Sequence, residues 1–312
     1  MLHTAAAGLL LGAGTATSRA DILYGTNQNT NTVGKVTSAG ASSVFVNTGF
    51  VITLGLAFDS AGNLFVGDRA GTTIKKFTPG GVGTVFVPSG SGTLFQPRGM
   101  AFDSAGNLFV ANNTNNTIEK FTIGGVGSVF ANNAGGVNTP EGLAFDSAGN
   151  LFLANGDNTI MKYTPGGVGT LFANNASGVG NPFGLAFDGA GNLFVANVGD
   201  NTIRRFTPGG VGSVFATSAG NVSVPIGLAF DSAGSLYVAQ QNSGTYKFTA
   251  GGVGSPFGVG AGNANEYLAF TNDAGVPLPL ANQVPEPATC AMLAAGAAAL
   301  LARRRRKLVA MR

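Results

Sequence analysis

The stretch GLAFDSAGNLFLANGDNTI at residues 142–160 has a near-copy at 99–118, and others begin at Gly55, Gly184 and Gly227. The Asp of each copy falls at 59, 103, 146, 188 and 231, a spacing of 42 to 44 residues. A period of that size marks a solenoid, a propeller or an array. Within the unit that begins at Gly99, MAFD, NLFVAN, TIEKFT and GSVFA are short apolar words separated by turn residues. Words rich in Phe, Val, Leu and Ile between Gly, Asn and Asp read as strands. No helical stripe occurs outside the two chain ends. Four strands per unit predict one blade of a β-propeller.

Composition supports this reading once it is placed on the period. The Asp-Ser-Ala-Gly-Asn and Gly-Gly-Val-Gly words supply tight turns between strands one and two and between strands three and four. Twenty of the 23 phenylalanines fall in four columns, one per strand, as in Phe102, Phe109, Phe121 and Phe130 of a single unit. Rings that recur at fixed positions are core packing between sheets, not a ligand box.

Five units are complete. Ahead of them, Ile22-Leu23-Tyr24, Thr32–Thr37 and Ser43–Val46 match second, third and fourth strands. After them, Tyr267-Leu268-Ala269-Phe270 matches a first strand. The expected fold is therefore all-β: six four-stranded antiparallel blades, closed by pairing of the N- and C-terminal strands. The unit PxGLAFDxxGNLFVANxxxNxI resembles the NHL repeat over roughly residues 22–271. That resemblance implies a propeller and leaves function open, because the scaffold serves protein-binding, RNA-binding, structural and enzymatic members. The chain has no Trp, which sets aside WD-type repeats.

The ends read differently. Residues 1–20 are expected to be a signal peptide, with a small apolar run and Ser18-Arg19-Ala20 before Asp21. The propeller is placed at 21–276 and a linker at 277–284. Residues 285–312 open with Pro285-Glu286-Pro287, continue in an uncharged run expected to form a short hydrophobic helix, and end in Arg303, Arg304, Arg305, Arg306 and Lys307. Fifteen apolar residues at 1.5 Å rise marginally cross a ~30 Å hydrocarbon core, and the cations would stay cytoplasmic. This end resembles the PEP-CTERM sorting signal of Gram-negative bacteria. The resemblance implies transient inner-membrane anchoring as a transmembrane helix, processing by an exosortase-type enzyme, and release to the cell surface or extracellular matrix.

Removing residues 1–20 and the basic tail from residue 303 leaves ten basic groups against fourteen acidic ones, a net charge near −4. Nucleic acid is not an expected partner. The single His3 and the single Cys290 lie in the end segments, so Ser-His-Asp and Cys-His arrangements are ruled out for residues 21–284.

Comparison among the units separates two faces. The 1–2 and 3–4 turns barely vary and read as structural. The opposite face varies: Leu54, Arg98, Glu141, Phe183, Ile226 and Glu266 precede the first strands and are expected to ring the channel mouth. Thr26, Asp68, Asn112, Asn155, Asn197 and Gln240 follow the second strands as a polar second ring. Phe95 and Phe183 stand outside the shared phenylalanine columns. Varied side chains on a rigid scaffold suit a binding face for polysaccharide or a surface protein, without catalytic residues or cofactor. An equally simple account has Arg98 pairing with Glu141, Phe183 plugging the hole and the Asn side chains bonding loop backbone. A calcium-dependent lactonase resembling gluconolactonases is the alternative, with Glu141, Glu266 and Asp68 as metal ligands.

Overall fold

The computed structural model describes residues 21–47, 49–241, 243–257, 265–272 and 277. Those residues form six four-stranded antiparallel sheets, five of them running in sequence order from the axis outward. In the sheet that closes the ring, Asn265–Asn272 lies beside Asp21–Asn27, followed by Thr32–Thr37 and Ser42–Asn47. Its register pairs Leu23 with Phe270 and Asp21 with Asn272, as the two terminal fragments predict. The expected signal peptide, the hydrophobic helix and the sorting segment lie outside the described residues.

Strand alternation turns one face of each sheet toward the preceding blade and the other toward the next. The ring packing follows from it. Phe65 meets Phe86 of its own blade and Phe102 of the next edge-on, each at 4.9 Å between centroids. The trio repeats at every blade junction, from Tyr24 with Phe45 and Phe58 to Tyr237 with Phe257 and Phe270. Each such contact stabilises by about 0.5–1.5 kcal/mol beyond its burial. The core is accordingly a set of apolar clusters between neighbouring blades, such as Phe109, Ile118, Leu143, Leu151 and Tyr163.

One column escapes the phenylalanine comparison. Phe50, Leu94, Val137, Val179 and Val222 are buried in the crossings between blades and recur at the repeat period. Phe50 is therefore core, packed on Phe77 with the Lys75 ammonium over its ring. The column is hidden because its residue type changes from blade to blade.

Candidate functional site

Five of the variable axial residues share a local device. The register between first and second strands breaks across Leu54, Arg98, Glu141, Phe183 and Ile226. Such bulges kink a strand and re-aim a side chain. The glycine that follows each variable residue lets the innermost strands approach: a Cβ built at Gly99 would stand 2.8 Å from the Gly142 Cα. At that level the inner strands of neighbouring blades meet backbone to backbone.

The side chains at this level engage one another. The Arg98 guanidinium donates to a Glu141 carboxylate oxygen at 2.5 Å. The Asn113 amide donates to the other oxygen at 3.1 Å, and Arg98 lies 5.9 Å from the Phe183 ring centre. Leu54 and Ile226 are buried. The Glu266 side chain lies outside the described residues. Three neighbouring blades thus bring Arg98, Glu141 and Phe183 together, while the two aliphatic residues pack beneath the surface.

The polar ring is engaged with loop backbone. Asp68 accepts the amides of Val51, Ile52 and Gly71 at 3.1–3.2 Å. Asn112 accepts the Phe95 amide at 3.2 Å and donates to the Thr93 carbonyl at 2.7 Å. Asn155 accepts from the Asn138 amide and donates to the Gly136 carbonyl. Asn197 donates to the Gly178 carbonyl, and Gln240 bridges Ser223 and Asn221. Thr26 accepts the Tyr267 amide at 3.2 Å. Each is buried, and all but Thr26, whose partner lies in the strand Asn265–Asn272, clamp the crossing of their own blade.

A second set of clamps pins the crossings between blades. Thr139, Asn181 and Val224 sit at left-handed φ of 43° to 45°, a conformation that costs a β-branched residue about 1–3 kcal/mol. Their amides donate at 2.6 Å to the Oδ1 of Asn116, Asn158 and Asn201 in the preceding blade. On this fixed crossing face Phe95 stays 41 % exposed, the one phenylalanine among the described residues to do so.

Two of the three donors considered for calcium are already engaged. The oxygens of Asp68 accept backbone amides, and Glu141 faces a guanidinium cation. Calcium takes six to eight oxygen ligands, and the third donor, Glu266, has its side chain outside the described residues. Among the described residues no three His, Cys, Asp or Glu side chains cluster.

An axial cavity opens on the other side of the disc. It has a volume of about 430 Å³, is lined by Leu56, Met100, Leu143, Leu185 and Leu228, and carries Asp59 and Asp103 of the turns at its mouth. A cavity thus opens on the invariant turn face, while on the variable face, where the channel mouth is expected, Arg98 and Glu141 pair.

Burial, opposed by Arg98, Arg69 and Asn113, raises the Glu141 carboxyl from 4.5 to about 7. The folded form therefore holds the extra proton, and stability falls as pH rises from about 4.5 to 7, by up to about 3 kcal/mol. Thermal melts of Glu141→Gln should show a flatter fall of Tm across this window than the parent protein. Some slope should persist, because burial also lifts Glu119 to about 6. An unchanged slope would remove Glu141 as its source.

Comparison with known proteins adds one motif and one fold. Residues 283–307 match the PEP-CTERM protein-sorting motif. No curated protein sequence is similar enough to identify a relative. Virginiamycin B lyase from Staphylococcus aureus superposes with a TM-score of 0.62 at 16% identity, over 82% of this chain and 89% of that one. A gluconolactonase from Xanthomonas campestris superposes at 0.59 and 16% identity, over 79% and 88%. Regucalcin, a calcium-binding protein from Agrobacterium tumefaciens, superposes at 0.59 and 16% identity, over 72% and 79%. Identities this low carry the fold alone. The chain is a six-bladed β-propeller with a C-terminal PEP-CTERM motif, the mark of a protein exported in Gram-negative bacteria and recognised by an exosortase.

Proposed function

We propose that the chain works at the cell surface or in the extracellular matrix as a non-enzymatic binding module, meeting polysaccharide through its crossing face. In this reading residues 1–20 are removed on export and 285–312 hold the protein in the inner membrane until processing. The observation that carries it is the exposure of Phe95 on a loop pinned by Asn112. A chain that buries or half-buries its other phenylalanines leaves this ring open on rigid backbone, which suits stacking on the apolar face of a sugar at low ordering cost. Half-buried Phe183 and the amides around it supply a second stacking group and hydrogen bonds. Retention on a panel of bacterial polysaccharides should weaken at least about tenfold in Phe95→Ala and ignore chelator. Retention indifferent to Phe95→Ala, or capture of a surface protein instead, would overturn it.

The calcium-dependent lactonase is the second reading, favoured by the gluconolactonase-like fold and by an axial carboxyl near 7. Calcium titration with a lactone screen separates the two. Turnover that needs calcium and vanishes in Glu141→Gln would establish the lactonase.

A further inference from the structure

We infer that the disc face built from the 1–2 and 3–4 turns is a bilayer-docking face, on which the propeller rests while its C-terminal segment is held in the membrane. The first observation is where the chain leaves the disc. Asp21 and Asn272 pair at the turn end of the closing blade, and Asp21 accepts hydrogen bonds from Ser232 of a 1–2 turn. Pro277 bridges to Thr271 and lines the axial cavity on this face. The sorting motif begins at residue 283. The uncharged run begins at residue 288, and the eleven extended residues that lead to it span at most about 40 Å. A chain that leaves the disc on this face brings this face to the lipid more readily than the crossing face.

The second observation is the chemistry of the face. Val82, Ile123, Val126, Val168, Val211 and Val253, all in the 3–4 turns, are 59–83 % exposed. They form a crown around the disc, whereas the crossing face exposes Val51 and Phe95. Large exposed apolar sets mark a protein or membrane contact. Charge does not oppose that contact. Asp59, Asp103, Asp146 and Asp231 are each paired with a lysine at 3.3–3.8 Å, so the turns present little net charge to headgroups. Valines and one isoleucine on hydrogen-bonded turns can enter the interfacial layer without exposing unpaired backbone. The consequence bears on function: a propeller seated this way turns its crossing face, with Phe95, outward.

This inference rests on the membrane reading of residues 285–312, and the experiment separates the two. The full chain with Cys290→Ser is reconstituted in phosphatidylethanolamine–phosphatidylglycerol vesicles. Nitroxides are placed singly at Val126→Cys and Val211→Cys on the turn face, and at Asn29→Cys and Asn115→Cys on the crossing face. Collision with oxygen against a water-soluble nickel complex should favour oxygen several-fold at the turn positions and not at the crossing ones. Val82→Asp with Val168→Asp should return the turn labels to water while the protein still floats with the vesicles. Flotation with aqueous turn labels, or with crossing labels in lipid, overturns the docking face alone. Spin–spin broadening at the turn labels would place a second copy there and overturn it as well. Failure to float overturns the membrane reading and this inference together.

Discussion

Gly142→Val is expected to lose about 3 kcal/mol or more of stability, a drop in Tm of roughly 6–12 °C for a domain of this size. The reason lies at the axis. A Cβ at this position would stand 3.1 Å from the Phe183 carbonyl carbon and closer still to its oxygen, and the atoms it meets are backbone that cannot swing aside. The strand of the next blade would have to move outward, and that strand also carries Phe187 into the edge-on contact with Phe152 at 5.0 Å. One side chain therefore disturbs both the inner ring and the aromatic layer outside it. Gly135→Ala is the control, because nothing stands within 4 Å of its added Cβ. Differential scanning calorimetry of both variants checks the expectation. Equal melting points would mean that the inner strands are not in backbone contact.

Those glycines also explain which parts of the molecule could be read from the sequence. The blade, the turns and the aromatic core are periodic in residue type, and period is legible without knowing which strands touch. The closing blade was legible because its two fragments are complementary: one lacks a first strand and the other supplies only that. The placing of the cavity was not. It depends on Gly55, Gly99, Gly142 and Gly184 meeting backbone about one repeat away, and a glycine in a strand reads equally as a bulge or a close approach. Arg98 and Glu141 lie 43 residues apart and touch, the pairing that the sequence offers beside a binding ring.

The polar ring shows the same limit from the other side. The Asn after the second strand of three blades fits a hydrogen-bond donor for ligand and a clamp for loop backbone equally well. The partners of Asn112 lie 17 and 19 residues upstream, a distance at which sequence spacing carries no signal. Phe95 was visible as an aromatic outside the repeat, and its exposure on a pinned loop is what the fold adds. Phe50, a third phenylalanine outside the four columns, belongs with the crossing anchors, whose apolar character is kept while the residue changes.

Ring closure fixes both faces and the exit of the sorting segment, so its loss is the second large effect expected. A chain ending at Gly260 lacks the strand Asn265–Asn272, whose Leu268 and Phe270 are buried against the last complete blade. Full burial of two such side chains stabilises by about 3–6 kcal/mol, a large part of the 5–15 kcal/mol that holds a typical domain. The strand Asp21–Asn27 would lose its inner partner at the same time. The direct measurement compares this chain with one ending at Pro277, by calorimetry and by mass in solution. A closed ring predicts a cooperative melt and a monomer for the longer chain, with aggregation or loss of the cooperative melt for the shorter. Two chains with the same melting temperature and the same monomeric mass would contradict it.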